Sequence, residues 1–347
     1  MAPSWRFFDQ IPNPESAMSA IYANVSEVPL ALAVFLASDN YDHNPDPDTI
    51  SATTLLKPLR QIILPSRIAP GDGLRNLADM MANRMGAAIH DGIEKAWVTN
   101  HLPAMQALGL PKRVIDRVSI NPPDSSLTDD MIPVYLEQRL SRKFGKWTVT
   151  GKFDFIGEGM VQDFKSTSVW TYKNQVNANK YIEQGSLYRW LDPKKITQDR
   201  MQIHYIFTDW KGAMQKSDPS YPPKRFHTQT FDLMGLPETN TFIGNKLKLI
   251  DQYWDAPEEE IPLCNDDELW RSEPQFKYYK SGNVNAARST KNFESRQDAV
   301  IYMSTQAGGV GAIKEVPGQV TACKYCPAFQ ACTQKNDLIN SGDLLMG

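Results

Sequence analysis

From Gly151 to Thr167 the chain reads GKFDFIGEGMVQDFKST, two short runs that alternate apolar and polar residues around a turn at Gly157–Gly159. Alternation at period two predicts strands, and a glycine-containing turn between two such runs predicts a hairpin. Side chains two apart leave the same face, so Asp163 and Lys165 point one way, with Asp154 near the end of the first strand. Phe153, Phe155 and Phe164 then point the other way, into a core. Upstream, the weakly alternating Tyr135–Phe144 predicts a strand pairing with Lys146–Ile156. Glu137, Arg139 and Ser141 share a face of that strand, from which Glu137 either approaches the hairpin carboxylates or, as the favoured reading, stays a partly exposed carboxylate. Met201–Thr208 is the most strand-like run and predicts a central strand.

Helical spacing takes over elsewhere. Leu74, Leu77, Met81, Met85, Ala88, Ile89, Ile93 and Trp97 predict a long amphipathic helix from Asp72 to about Asn100. Gly86, His90 and Glu94 lie at i, i+4 and i+8 along one edge of its apolar stripe. Gly86 leaves room for another backbone, and His90 faces the centre of the fold. Ile50–Arg60 predicts a short helix capped by Ser51 and ended or kinked by Pro58. Asn174–Leu191 predicts a helix with Tyr181, Leu187, Tyr188 and Leu191 on one side and Gln184 and Tyr188 as i, i+4 neighbours. Asn240–Tyr253 predicts another. Residues 1–50 read as a helix or two and an acidic connector, in which His43 is a solvated loop residue. Lys211–Arg225 reads as a loop suited to the rim of a substrate channel, and the acidic Asp255–Glu260 as solvated. Near the end, Phe276, Tyr278 and Tyr279 interleave with Lys277 and Lys280, which fits a base-stacking surface or an ordinary amphipathic edge. Three strands, a helix and a strand behind a long helix make an α/β fold on a mixed sheet.

Composition narrows the class. Among 347 residues, 41% hydrophobic and 22% charged content is that of a soluble globular protein. The longest apolar run, Val28–Ala37, is too short to span a bilayer and has no basic flank, so the expectation is a cytoplasmic protein without membrane association. The net charge of −3 conceals an asymmetry: Arg139–Arg225 holds 16 Lys and Arg against 8 Asp and Glu, leaving −11 on the remainder. A basic middle segment around the hairpin fits a nucleic-acid footprint. The four cysteines are Cys264, Cys323, Cys326 and Cys332. Three fall in one ten-residue window, which suits metal ligation in a reducing compartment better than disulfides.

Asp154-x8-Asp163-Phe164-Lys165 has the form of the PD-(D/E)xK nuclease motif. Four further features stand in matching order. Gly86-x3-His90 resembles the metal-binding histidine motif of the RecB-like branch, and Gln184-x3-Tyr188 its QxxxY motif. Ile50–Leu56 resembles that branch's opening segment, and Cys323-x2-Cys326-x5-Cys332 the cysteine cluster closing its iron–sulfur members. Over residues 50–335 the chain therefore resembles this branch, most closely in its phage-type members.

The resemblance implies a restriction-endonuclease-like core over residues 50–255. A helical and irregular extension would precede it over 1–49, and a cysteine-containing extension would follow over 256–347. It implies hydrolysis of DNA phosphodiesters with Mg²⁺ or Mn²⁺, held by His90, Asp154, Asp163 and the Phe164 carbonyl. Hard cations take oxygen ligands, and a histidine nitrogen shifts preference toward Mn²⁺. Lys165 would orient or deprotonate the attacking water or offset transition-state charge. Gln184 and Tyr188 would position the strand end or the active-site backbone. This assignment requires His90 to lie within metal-bridging reach of both Asp154 and Asp163. Cys264, Cys323, Cys326 and Cys332 would hold a [4Fe–4S] cluster or a zinc ion, although no cysteine precedes the core as in cluster-bearing members; a metal-free tail is the third reading. The expected role is exonucleolytic, in phage DNA replication, recombination or degradation, with a phage recombinase or single-strand-binding protein as partner. Structure-specific endonuclease or junction resolvase, and a non-catalytic nucleic-acid-binding module, are the rivals.

Overall fold

The computed structural model describes residues 22–38, 46–69 and 75–346; His43 and the expected helix onset at Asp72 lie outside the described residues. Two compact units form, one from residues 1–57 and 74–248, the other from residues 58–73 and 249–347. The architecture is mixed α/β.

The first unit is built on a six-stranded mixed sheet in the order Phe226–Asp232, Arg200–Phe207, Met160–Thr167, Phe155–Gly157, Ile132–Leu136, Val118–Ile120. Arg200–Phe207 is an interior strand, parallel to Met160–Thr167 with Ile203 opposite Asp163 and Tyr205 opposite Lys165. Met201, Ile203, Tyr205 and Phe207 are all buried, as its alternation requires. In the turn after Phe155–Gly157, Glu158 and Gly159 have φ of 52° and 76°. Positive φ at both central residues suits the twist of a two-residue hairpin.

The strands on either side of Glu137 differ from the sequence expectation. Tyr135–Phe144 and Lys146–Ile156 each break, and they break at the same level. Tyr135 and Leu136 pair with Ile156 and Phe155 in the six-stranded sheet. Arg139–Phe144 pairs with Trp147–Lys152 in a separate three-stranded sheet completed by Thr49–Ser51. Asp154 is therefore not on a strand but in the break, bonded through its carbonyl to the Glu137 N–H at 3.1 Å. Glu137 has φ of 52°, a left-handed conformation that ends extended structure. Phe153, fully buried beside it, anchors the crossing.

Ser51 caps Ala52–Leu55 by accepting the Thr54 N–H at 3.1 Å, and the next helix, Leu59–Ile63, starts after Pro58. The long helix runs over Met81–Ala107, past Asn100 and through Pro103. Its Trp97 packs on Phe155 with ring centroids 5.1 Å apart. The QxxxY helix is shorter than expected, Ala178–Leu191, because Val169–Lys173 forms its own short helix and Gln175 turns at φ 50°. It packs closely on the strand at Gly151, where a Cβ would lie 2.7 Å from Leu191 Cδ1 and 3.0 Å from the Tyr188 ring. Gly86 is different. A Cβ there would meet Ser166 Oγ at 3.5 Å, an ordinary contact, so no close backbone approach depends on it.

The second unit contains a three-stranded antiparallel sheet, Lys291–Phe293, Gln275–Tyr279 and Ala312–Val316. Tyr278 and Tyr279 are buried in it, so they are core residues and not a stacking surface. Glu258, from the segment expected to be solvated, forms an ion pair with the buried Arg60. Among the described residues no helix is long and apolar enough to cross a membrane.

Candidate active site

The coincident strand breaks set two carboxylates where the two sheets part. Glu137 and Asp154 meet His90 there, each offering a ligand atom within 4.8 Å of the others. His90 Nδ1 lies 3.2 Å from Asp154 Oδ2, and its Nε2 lies 2.8 Å from the Phe164 carbonyl oxygen. The Phe164 N–H donates to Asp154 Oδ2 at 3.3 Å. One imidazole and two carboxylates thus converge, half-buried, with the Phe164 carbonyl at the ring's other nitrogen. Glu137, for which the sequence favoured a partly exposed strand position over an approach to the site, is a member of the group. Its signal in the sequence was only a shared face with Arg139 and Ser141, while the left-handed backbone that turns it inward leaves no periodic trace.

The cluster's charges are balanced within the chain. Glu137 Oε2 pairs with Lys152 Nζ at 2.5 Å. Burial raises the Glu137 carboxyl, and Lys152 opposes that shift. Hydrogen bonding to Asp154 raises the His90 imidazole despite burial. Burial pushes Asp154 up, but His90, Lys165 and the Phe164 N–H outweigh it and hold the carboxyl below its ordinary value.

Asp163 and Lys165 share the expected face. Their ion pair is 2.7 Å, with Asp163 1% exposed. Burial holds the Asp163 carboxyl well above the ordinary range, with Lys165 opposing. Burial disfavours the Lys165 ammonium, but Asp163 and Asp154 outweigh it, so the group stays charged. Asp163 Oδ2 is buried and accepts no well-directed hydrogen bond despite this ion pair. His90, Asp154 and Asp163 do not close together to 4.8 Å, so the required reach from His90 is met for Asp154, and Glu137 supplies the second carboxylate of the close group.

On the neighbouring helix, Gln184 Nε2 donates to the Tyr188 hydroxyl at 2.9 Å. Burial raises the Tyr188 phenol strongly, with Asp163 and Asp154 adding to it, so it stays protonated. Lys165 opens onto a cleft of about 340 Å³, lined by Ser166 and Thr167 from its own strand and by Asn177, Lys180, Tyr181 and Gln184. Lys165 Nζ sits 5.8 Å from the Tyr181 ring centroid. The chain thus sets acidic ligand atoms next to an ammonium that faces open space.

A divalent cation fits the donor set of His90, Glu137, Asp154 and the Phe164 carbonyl. Hard oxygen ligands dominate it, two of them formally charged. The buried Asp163 Oδ2, short of a hydrogen bond, is a further oxygen beside it.

The four cysteines lie in the second unit, and all are free thiols. Burial pushes Cys264 up to about 12 and Cys323 up to about 11, with the other thiols adding to each shift. Arg60 Nη1 reaches Cys332 Sγ at 3.4 Å. No three of the sulfurs lie within 4.8 Å of one another. A single tetrahedral zinc with bonds near 2.3 Å sets its sulfurs about 3.8 Å apart. The thiols are thus grouped, but at wider spacing than one ion needs.

No protein-family model matches the chain, and no curated protein sequence matches it. Among the solved structures similar over part of it are the following two. The protein SSO0001 shares 12% identity with a TM-score of 0.36, over 60% of this chain and 79% of its own. A phage-related exonuclease from Haemophilus somnus 129PT shares 14% identity with a TM-score of 0.28, over 62% of this chain and 96% of its own. Likenesses this low leave the functional reading to the site itself.

Proposed function

We propose that the protein is a metal-dependent nuclease that hydrolyses DNA phosphodiesters, with exonucleolytic action in phage DNA metabolism as its biological setting. The observation that carries the reading is the convergence of His90, Glu137 and Asp154 in the same unit as the Asp163–Lys165 pair, whose Lys165 lines a cleft. A pure phosphate-binding module has no use for carboxylates gathered beside its lysine, because they repel a phosphate.

His90, Glu137, Asp154 and the Phe164 carbonyl would hold Mg²⁺ or Mn²⁺, with Asp163 beside them. A cation held there supplies Lewis-acid stabilisation of the charge that builds on the scissile phosphate. Lys165, kept charged by Asp163 and Asp154, donates to the attacking water or to a phosphate oxygen and offsets developing negative charge. Its ion pair with Asp163 fixes the ammonium at the cleft wall, so little reorganisation is needed in the transition state. Gln184 and the protonated Tyr188, packed on Gly151, brace the strand that leads into Asp154. Lys180 adds a positive charge on the cleft wall for the substrate backbone. In the second unit Cys264, Cys323, Cys326 and Cys332 would hold a metal group, an iron–sulfur cluster or one zinc ion. Brown protein from anaerobic purification supports the cluster, whereas colourless protein with equimolar zinc refutes it.

The test is incubation with linear and circular, single- and double-stranded DNA in Mg²⁺ or Mn²⁺. Release of mononucleotides from linear DNA alone marks an exonuclease, and cutting of circles marks an endonuclease. Lys165→Ala should reduce cleavage by about 10³-fold or more and leave DNA binding largely intact. Equal cleavage by the variant and the wild type in Mn²⁺ removes Lys165 from the mechanism.

A further inference from the structure

Trp170 is 65% exposed, more than any other described tryptophan. The others have partners or cover. Trp97 packs on Phe155, Trp190 donates to Asn240 Oδ1, Trp210 donates to the Pro222 carbonyl, Trp270 meets Tyr325, and Trp147 is buried. Trp254, 42% exposed, is the next most open after Trp270. The Trp170 indole has no hydrogen bond, ring contact or cation–π contact among the described residues. An indole so presented leaves a large apolar surface in water, which is a cost without a ligand.

Its mounting is rigid. Trp170 belongs to the short helix Val169–Lys173, which joins the strand carrying Asp163 and Lys165 to the helix carrying Gln184 and Tyr188. The Ser168 hydroxyl caps the helix by accepting the Thr171 N–H at 3.1 Å, and the Val169 N–H donates to Asp209 Oδ1 at 2.8 Å. Val169 is buried, and Tyr172 is wedged among the rings of Tyr205, Phe207 and His227 with centroids 4.9–5.4 Å away. Lys173 Nζ donates to Asp218 Oδ2 at 2.8 Å, and the Gln175 and Gln229 amides exchange hydrogen bonds at 2.8 and 3.2 Å. The exposure of Trp170 is thus set by a fastened backbone.

Its position is tied to the cleft. Thr167, three residues before Trp170, and Asn177, seven residues after it, both line the cleft with Lys165 and Lys180. The segment joining these two cleft-lining residues therefore presents one large aromatic face outside the cleft lining itself, on the stretch of chain between walls that carry two ammonium groups. Aromatic faces beside basic residues stack the bases of single-stranded nucleic acid whatever their identity, because every base has a π-face.

We infer that Trp170 is a stacking platform for an unpaired nucleobase of the strand whose phosphates enter the Lys165 cleft. This rests on the nuclease reading and narrows its substrate to a single strand or a frayed end. A base already stacked inside a duplex has no free face to offer.

The experiment uses the full chain, a fluorescein-labelled 15-nucleotide oligothymidylate and a blunt duplex of equal length, with EDTA present to separate binding from cleavage. Trp170→Ala should weaken single-strand binding, read by anisotropy, by about tenfold or more. Trp170→Phe should restore most of it, and duplex affinity should change little. Because the side chain is largely exposed, both variants should keep the wild-type melting curve. Equal single-strand affinity in Trp170→Ala and wild type overturns the inference, as does a loss of equal size on duplex and single strand. Wild-type cleavage in Mg²⁺ or Mn²⁺ is measured separately. Its absence refutes the nuclease reading while the binding comparison still decides the role of Trp170. Wild type that cuts DNA but shows no dependence on Trp170 refutes the stacking role alone.

Discussion

The two units each hold a cluster of chemistry beside an ion pair, and the pairs are used differently. In the first unit, Lys165 and Lys152 balance Asp163 and Glu137 while staying 27% and 46% exposed. Their charges remain available to whatever enters. In the second unit, Arg60 is 2% exposed, and its guanidinium is used up on Glu258, the Ile261 and Pro262 carbonyls and Cys332 Sγ. The same kind of contact poises charge in one place and staples backbone in the other. What separates them is solvent access. A cation at a cleft wall can exchange partners, whereas a buried one cannot lose a partner without a large penalty.

The sharpest way to break that contrast is Glu258→Ala. It strands a buried guanidinium without its counter-charge and should cost about 3 kcal/mol in urea unfolding at neutral pH. Burial raises the Glu258 carboxyl, but the Thr333 N–H and hydroxyl and Arg60 outweigh it, so its folded value is depressed. A depressed carboxyl contributes stability above its unfolded value and loses it as pH falls through the folded one. The gap between variant and wild type should therefore close in acid, below the ordinary carboxylate range. A gap that persists undiminished as the pH is lowered until the carboxyl is protonated in the folded and unfolded states alike would show that Glu258 acts by packing alone.

Gly151→Ala asks whether the first unit is as tightly built beneath its open charges. The new methyl would meet Leu191 at 2.7 Å and the Tyr188 ring at 3.0 Å. Overpacking of that kind costs about 2 kcal/mol and should also displace Tyr188 and lower cleavage. Thermal melts together with the DNA assay check both. A fully stable and active variant would mean that the helix floats on the strand.

Glu137→Gln tests whether the poised charges serve a cation. Loss of one anionic ligand should weaken Mn²⁺ binding by at least about tenfold, since even outer partners are worth that much. Calorimetric titration of the full chain reads it directly. Unchanged affinity would leave Glu137 as a partner of Lys152 and nothing more. Gly86→Ala should do least. With only Ser166 Oγ at 3.5 Å in the way, it should stabilise the long helix by up to about 1 kcal/mol. A marked loss of stability would restore the close approach that the glycine spacing had implied.

What was legible in the sequence was what short-range periodicity dictates. The hairpin, the shared face of Asp163 and Lys165, the Gln184–Tyr188 step and the Ser51 cap each depend on residues within a turn or a strand of one another. Their geometry follows from the helix and strand repeats themselves. His90 on an inward helix edge was legible for the same reason. Other features were decided by contacts between distant segments. Two runs read as continuous strands part at Glu137 and Asp154, because one residue takes a left-handed φ and the chain crosses between sheets. Alternation records side-chain polarity and not that dihedral, so the sequence favoured an exposed strand position for Glu137 over membership of the candidate metal group. Residues 58–69 fold with the C-terminal unit through Arg60, whose partner Glu258 lies 198 residues away. Tyr278 and Tyr279 read as a basic aromatic edge until a sheet and a helix close over them. The pattern of residues thus determined which groups could do chemistry. Only the tertiary structure decided which of their charges stay open to a substrate, because burial belongs to the whole fold.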